Sequence, residues 1–343
     1  MIKLSDIARA LNISEATVSN AFTGKGRMKP ETREAILSYA TEMGYQARKP
    51  KISPEKKQLI IISEGLNSSF VNAILTGIQE KAGQLGLTIP TYSLNINDAV
   101  LCRNPDIRQL NARVYEILAE IDYPVSGILY ISQYARRVDG LLDTLSLPVL
   151  FVYCSREDGR EFIHYDDHQG AYLAVNTLLQ EGRTKVAMIS GPIDCVGMYL
   201  RSAGYQQALM EHQLPYDPRL VRIGDWDEAS GYEQTCQLLS ENQDFDAIFA
   251  QSDLIAFGAS RALREKGLNV PEDVSIIGFD NIPACQFFEP PLTSIQPPFE
   301  GMGAAALTRL LELLETGSMA ENISGQLLPC QLILRSSTQN KIL

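Results

Sequence analysis

The stretch LSDIARALNISEATVSNAFT, residues 4–23, decides how the N-terminal part of this chain folds. Apolar residues at helical spacing predict two short helices, with Ile7 and Ala8 facing inward from the first and Val18 from the second. Asn12 lies between them, where a tight turn needs a residue that tolerates left-handed backbone geometry. The segment therefore predicts a helix–turn–helix motif, in which the second helix enters the major groove of DNA.

The distribution of charge agrees with this prediction. The chain has 343 residues and a net charge of −11. Its first 57 residues hold eleven Lys and Arg against six Asp and Glu, a net of +5, which leaves −16 for the remainder. The small basic N-terminal segment (the head) and the large acidic remainder (the body) indicate that only the head binds a polyphosphate such as DNA.

Composition excludes several classes of protein. With 45% hydrophobic and 21% charged residues, the chain has the composition of a globular protein. Its length predicts about two large domains and a small one. No apolar run approaches the roughly 18 residues of a membrane span, and no leader is visible, so the cytoplasm is expected. The six cysteines form no Cys-x-x-Cys pair, which disfavours a zinc ribbon or a disulfide scaffold. We expect neither a cofactor nor a metal, and three histidines equip an enzyme poorly for acid–base chemistry.

From residue 59 onward, short apolar runs alternate with amphipathic stretches. The runs lie at 59–62, 127–131, 149–152, 186–190, 247–250 and 274–279, and the helical stretches at 70–85, 107–121, 171–180, 199–212 and 254–266. Alternating units of this size predict doubly wound parallel sheets, and some 280 residues are too many for one such sheet. Two lobes are therefore expected, with a ligand in the cleft between them.

The head resembles the DNA-binding domain of the lactose-repressor (LacI/GalR) family of bacterial transcription regulators. The resemblance lies in Lys3-Leu4-Ser5-Asp6-Ile7-Ala8, Ser14-x-x-Thr17-Val18-Ser19, Thr32-Arg33 and Met43-Gly44-Tyr45. It implies that Glu15, Ala16 and Asn20 read bases. It also implies that the phosphate backbone is contacted by Ser14, Thr17, Ser19, Thr23, Arg27, Thr32 and Tyr45. The chemistry agrees, because Asn can bond adenine bidentately whereas hydroxyls and Arg suit phosphates.

The resemblance continues over the acidic body. It lies in Asn67-Ser68-Ser69-Phe70, Ser190-Gly191-Pro192, Leu200-Arg201-x-x-Gly204-Tyr205, Gly224-Asp225-Trp226, PEDVSIIGFD at 271–280 and Pro291-Leu292-Thr293-Ser294-Ile295. It implies an α/β, periplasmic-binding-protein-like sensor body of two lobes joined by three crossovers, with a small effector between them. The effector-binding positions that it implies are Glu64, Phe70, Tyr153, Arg201, Trp226, Ser252 and Asp280.

Two of these positions depart from the family pattern, and three have a second interpretation. Ser252 stands where Asn is usual, and Tyr153 stands where a polar or acidic residue often contacts the effector. Arg201 and Asp280 suit the gripping of hydroxyls, but they could instead form a salt bridge between the lobes. Trp226 fits a residue that stacks on a sugar, but it could equally be a core residue.

Two motifs imitate other chemistry. Gly301-x-Gly303-x-x-Ala306 looks like a dinucleotide fingerprint, but it follows two prolines rather than a strand, which favours close helix packing. His164-Tyr165-Asp166-Asp167-His168 offers metal-like ligands, but it spans a predicted strand-to-helix turn, where an Asp caps the helix.

The predicted organisation is a DNA-binding domain at 1–46, a Pro- and Lys-rich linker at 47–57 and a sensor body at 58–343. The lobes are expected at 58–162 with 292–325, and at 163–291 with 326–343. These features predict a homodimeric repressor that binds palindromic operator DNA and responds to a sugar or a derivative of one. A purine- or nucleoside-responsive, co-repressed regulator and a sugar sensor without DNA binding remain as alternatives.

Overall fold

The chain divides into two compact units, Met1–Lys56 and Lys57–Leu343. The computed structural model describes residues 4–11, 13–18, 32, 35–36, 39, 43, 58–96, 106–157, 161–241, 243–316 and 325–339. Within those ranges, no helix combines the length and apolarity that crossing a membrane requires.

The first unit has a small hydrophobic core of its own. Helix α1 spans Leu4–Ala10, and residues 15–18 form a helical turn that starts after Ser14. The Thr17 N–H donates to Ser14 Oγ at 3.0 Å, so Ser14 is an N-cap. The predicted inward residues are buried, and they form a cluster of Ile7, Ala8, Val18 and Ile36.

The second unit alternates strands and helices, as predicted. The strands are β1 (Leu59–Ser63), β2 (Thr91–Ser93), β3 (Gly127–Ile131), β4 (Val149–Val152), β5 (Phe162–Tyr165), β6 (Val186–Ser190), β7 (Val221–Ile223), β8 (Ala247–Ala250), β9 (Ser275–Phe279), β10 (Thr293–Gln296), β11 (Gln326–Leu328) and β12 (Gln331–Ile333). The helices are α2 (Ser69–Gln84), α3 (Ile107–Glu120), α4 (Asp167–Gln180), α5 (Val196–Glu211), α6 (Glu228–Ser240), α7 (Asp253–Glu265) and α8 (Phe299–Thr316). Short 3₁₀ turns cover Pro218–Leu220 and Pro283–Gln286.

The strands form two six-stranded sheets, one in each lobe. The first sheet has the order β11-β5-β4-β3-β1-β2, and the second has the order β12-β10-β9-β8-β6-β7. All pairings are parallel except that of β10 with β12. The chain crosses between the sheets after β5, after β10 and after β11, which gives the three crossovers that the resemblance implied.

The crossovers correct the predicted lobe boundaries by a few residues. The boundary at 162/163 falls one residue into β5, and those at 291/292 and 325/326 fall just before β10 and β11; each of these strands still belongs to the preceding sheet. Thus β5 and β11 pair with each other in the first sheet, and β10 pairs with β9 in the second. A strand before the turn at 164–168 was predicted, but β10 and β11 were not, because neither holds a continuous apolar run of four residues.

Close helix packing explains the glycine motif in α8. A Cβ atom at Gly303 would lie 2.1 Å from the Ile74 carbonyl oxygen, and one at Gly77 would lie 1.9 Å from that of Glu300. Only glycine therefore allows α2 and α8 to cross at this distance, as the packing interpretation predicted. Residues of α8 such as Leu307 and Leu310 complete the core of the first lobe.

Candidate functional site

A cavity of about 580 Å³ lies at the carboxyl ends of the strands of the two lobes. Its lining includes residues that directly follow β4, β8 and β9, where the loops of parallel sheets collect. Six of the seven predicted effector positions contribute to it: Phe70, Tyr153, Arg201, Trp226, Ser252 and Asp280. The seventh, Glu64, lies outside the lining.

Arg201, in α5, is the most heavily engaged cation of the cavity. Its Nε donates to Asp167 Oδ1 at 2.7 Å, and its Nη2 donates to the Tyr165 hydroxyl at 2.9 Å. Its Nη1 donates to the carbonyl of Gln251. The side chain is only 6% exposed, and Asp167 is only 1% exposed. Arg201 therefore both forms a buried ion pair within the second lobe and contributes to the lining of the cavity.

Asp280 faces the same guanidinium more loosely. Its Oδ1 lies 3.8 Å from Arg201 Nη2, beyond hydrogen-bond distance. Burial raises the pKa of the Asp280 carboxyl to about 8, although the charge of Arg201 opposes this shift. Its backbone φ of 104° is strained for a non-glycine residue. Such strain is typical of functional positions, and the carboxyl can accept or release a proton there.

The loop that carries Asp280 is fixed from behind by Asp253. Asp253 Oδ1 accepts from Ser294 Oγ at 2.6 Å, and its Oδ2 accepts from the Ile282 N–H at 2.8 Å. Burial raises the pKa of Asp253 to about 6, against the effect of these hydrogen bonds. Ser252 Oγ is occupied as the N-cap of α7, accepting from the Ile255 N–H at 3.2 Å. Ser252 and Asp253 therefore shape the wall of the cavity.

Aromatic rings cover two sides of the cavity. Phe70 stacks on Phe299, with ring centroids 4.9 Å apart. Tyr153 has a φ of 61° and stacks on Tyr165 at 6.0 Å, and its burial raises the pKa of the phenol. Trp226 is half-buried against Gly191, where an added Cβ would come within 2.3 Å of the indole. The ring is thus neither a core residue nor freely exposed, and it faces both Arg201 and the cavity.

Several residues of the cavity were not predicted. Asn67, Gln133, Arg136 and Asp194 line it as well. Gln133 Nε2 donates to Asn67 Oδ1 at 2.8 Å, which joins the loops after β1 and β3. The one signal that could have found them is position, because Gln133 and Arg136 follow a predicted strand at its carboxyl end.

The motif at 164–168 is a helix start, as predicted. Asp166 is the N-cap of α4 and accepts from the Gln169 N–H at 2.9 Å. Asp167, one residue later, is the ion-pair partner of Arg201. No cluster of metal-ligating side chains occurs in the part of the chain that the structure describes.

In the head, the structure describes half of the predicted DNA-contacting residues. Glu15 and Ala16 are exposed at the start of the second helix, and Thr32 is exposed on a helix. Ser14 Oγ lies 2.7 Å from Thr17 Oγ1. The remaining predicted contacts fall outside the described residues: Ser19, Asn20, Thr23, Arg27 and Tyr45.

Two family models match the chain. Residues 3–47 match bacterial regulatory proteins of the lacI family, and residues 175–338 match the periplasmic binding protein-like domain.

Known proteins resemble the chain over nearly its whole length. It is 30% identical over 342 residues to the HTH-type transcriptional repressor CytR of Escherichia coli (strain K12), covering 98% of this chain and 96% of CytR. The crystal structure of the Lac repressor dimer bound to operator and the anti-inducer ONPF superposes with a TM-score of 0.67 at 27% identity, covering 98% and 99% of the two chains. The complex of the transcriptional regulator CelR with cellobiose gives a TM-score of 0.66 at 26% identity, covering 98% and 100%.

Proposed function

This chain belongs to the lacI family of bacterial regulatory proteins, and we propose that it is a dimeric, operator-binding repressor controlled by a small polar effector. The observation that carries the proposal is the cavity between the two lobes, with Arg201 and Asp280 at its polar end, in a chain that begins with a helix–turn–helix head. The head supplies recognition of DNA, and the body supplies the sensor. A regulator that binds DNA acts in the cytoplasm.

Sequence recognition is assigned to the start of the second helix. Glu15 and Ala16 are exposed there, so a carboxylate can accept from cytosine N4 and a methyl group can contact thymine. Asn20 is assigned the bidentate contact with adenine. One such head is too small for tight specific binding, so two copies on a palindromic site are required. The relative solved as a dimer on operator DNA supports this assembly.

The effector is assigned as a sugar or a sugar derivative. A cavity with aromatic walls and a guanidinium–carboxylate end suits the apolar face and the hydroxyls of such a ring. The CelR complex with cellobiose supports this class. A nucleoside or purine that promotes operator binding is the second candidate, since stacking on Trp226 or Phe70 would suit a base equally well.

The linker at 47–57 lies outside the described residues, and for it we keep the prediction from the sequence of an extended basic tether rather than a helix. Pro50 and Pro54 each remove a helix N–H and push the preceding residue out of α geometry, which disfavours a helix by several kcal/mol. The linker's Arg and Lys side chains would then contact phosphates. An operator complex with an ordered helix at 48–55 and Ile52 inserted between base pairs would refute this assignment.

The experiment that tests the function starts from DNA. Full-length protein would select its operator from random duplexes, and affinity would be measured by fluorescence anisotropy with and without sugars and nucleosides. We expect a palindrome bound 10³-fold or more tighter than random DNA, which is typical of specific binding, and a compound that changes this ratio. Equal affinity for selected and random duplexes would favour a sensor without DNA binding. Conversion of a bound sugar to product would favour an enzyme instead.

A further inference from the structure

We propose that Arg136, positioned by Glu64, is the side chain through which the first lobe recognises the effector, and that it selects an uncharged polyhydroxyl ligand over a phosphorylated one. This rests on the proposed function, in so far as the cavity is taken as the effector site. It changes the role expected for Glu64 from contacting the effector to positioning Arg136.

The carboxylate of Glu64 is fully buried and already surrounded by donors. Oε1 accepts from the Tyr130 hydroxyl at 2.7 Å and from Arg136 Nη2. Oε2 accepts from the Gln133 N–H at 2.8 Å and from Ser132 Oγ at 3.1 Å. Four donors use the main acceptor directions of a carboxylate, so Glu64 holds the loop that follows β3.

Arg136 is the charged part of this network that lines the cavity, and Gln133 is its neutral part there. The Arg136 side chain is 8% exposed and belongs to the cavity lining, whereas that of Glu64 is 0% exposed. The lobe opposite has the same arrangement, since Arg201 lines the cavity and pairs with the buried Asp167. Each lobe therefore presents one guanidinium whose charge is already balanced by a carboxylate behind it.

The balance of charge around the cavity disfavours an anion. The lining holds two guanidiniums, those of Arg136 and Arg201, and three carboxylates, those of Asp194, Asp253 and Asp280. Two further carboxylates, Glu64 and Asp167, lie directly behind the guanidiniums. The starts of α2 and α5 have no side-chain cap bond and contribute about half a positive charge each, which is too little to reverse the sign. The net charge of these groups therefore stays negative even when Asp280 is protonated.

A hydroxyl group fits this arrangement better than a phosphate does. It can accept from a guanidinium or a helix N–H and also donate to a carboxylate, whereas an ionised phosphate only accepts. A phosphate would also bring one to two negative charges next to carboxylates in a partly desolvated site.

The test compares matched ligand pairs on the full chain at constant ionic strength. Thermal shift and calorimetry would use glucose and glucose 6-phosphate, cellobiose and cellobiose 6-phosphate, and cytidine and cytidine 5′-monophosphate, with inorganic phosphate as a probe of its own. The proteins would be wild type, Glu64→Gln, Arg136→Gln and the double variant. Arg156→Gln is the control, because Arg156 is an equally buried arginine of the same lobe, paired with Asp143, that does not line the cavity.

In the wild type, we expect the neutral member of the recognised pair to bind at least tenfold tighter than its phosphate ester, and inorganic phosphate not to stabilise the protein. Glu64→Gln removes the negative charge that pairs with Arg136, so the ratio of affinities should move at least tenfold toward the phosphorylated ligand, and stabilisation by inorganic phosphate should appear. The double variant should lose that stabilisation. Arg156→Gln should lower the Tm without changing either ligand preference.

Two results would overturn the proposal. One is stabilisation of the wild type by inorganic phosphate that Arg136→Gln abolishes, and the other is Arg136→Gln with unchanged affinity for the neutral ligand. Operator binding is measured on the same samples. Its absence would refute the proposed function alone, because the phosphate response reports on the cavity whether or not the protein binds DNA.

Discussion

Replacing Arg201 with methionine removes the guanidinium but keeps much of the apolar stem. The change deletes hydrogen bonds to Asp167, Tyr165 and Gln251 and leaves the 1% exposed carboxylate of Asp167 without its cation. Breaking a buried ion pair from one side costs about 3–5 kcal/mol. At roughly 2–4 °C per kcal/mol for a large domain, the Tm of the body should fall by about 6–20 °C. The response to effector should disappear, because the same side chain lines the cavity.

Calorimetric and denaturant unfolding of four proteins would check this: wild type, Arg201→Met, Asp167→Asn and the double variant. Asp167→Asn removes the orphaned charge, so the double variant should be more stable than the sum of the single effects predicts, with a coupling of about 1–3 kcal/mol. Strictly additive effects, or a loss below 1 kcal/mol in Arg201→Met, would refute the view that the pair stabilises the lobe. Operator binding at low temperature serves as the control for folding.

Three further predictions concern other parts of the molecule. Because burial raises the pKa of Asp280 from 3.8 to about 8, the folded body binds a proton that the unfolded chain has released. Its stability should therefore fall as the pH rises from about 4 to 8, while an effector that needs the carboxylate gains up to tenfold in affinity per pH unit. Asp280→Asn should flatten the affinity profile and remove the fall in stability between about pH 6 and 8, which lies above the raised pKa of Asp253; unchanged profiles would exclude this linkage. Gly303→Leu should destabilise the body by about 1–3 kcal/mol or more in urea unfolding, because the side chain would collide with α2. The control Gly83→Ala, with no atom within 4 Å of the new Cβ, should stabilise the body by up to about 1 kcal/mol, and equal effects of the two changes would contradict the packing argument. Asn20→Ala should weaken operator binding by about 1–3 kcal/mol and relax the base preference at one position, and equal losses on operator and random DNA would exclude base reading. Arg27→Ala should weaken binding to all sequences alike and reduce the slope of log affinity against log salt concentration by about one unit.

The strands and helices that the sequence predicted are those with a continuous apolar run or a helical repeat of apolar residues. The six predicted strands match the observed ones to within one residue at each end, and Gly86 and Gly267 follow their helices with φ of 66° and 78°, as a C-terminal glycine should. Strands such as β7 and β11 were missed because they hold at most two consecutive apolar residues, whereas the four-residue strands β4 and β8 are apolar throughout. Their pairing depends on neighbours distant in sequence.

Six of the seven effector positions predicted from the sequence line the cavity around Arg201, but the sequence did not predict which side chains contact each other there. Arg201 and Asp280 were assigned from motifs, and both line the cavity. That Asp167 pairs with Arg201, or that β3 and the loop after it enclose Glu64, could not be read from the sequence. Asp167 and Arg201 are 34 positions apart in the sequence, and Glu64 and Arg136 are 72 positions apart. The geometry of both contacts is therefore set by packing between elements.

The three crossovers have a consequence for synthesis on the ribosome. The first lobe begins at β1, near residue 59, but its core lacks α8 until residue 316 has been made. About 130 residues, those between β5 and α8, are translated in between, which takes roughly 7–27 s at 5–20 residues per second. During that time the face of α2 that will pack on α8, around Ile74 and Ile78, has no native cover. The first lobe therefore cannot bury this face of α2 in its native way until the chain is nearly complete, although it is the first lobe to emerge.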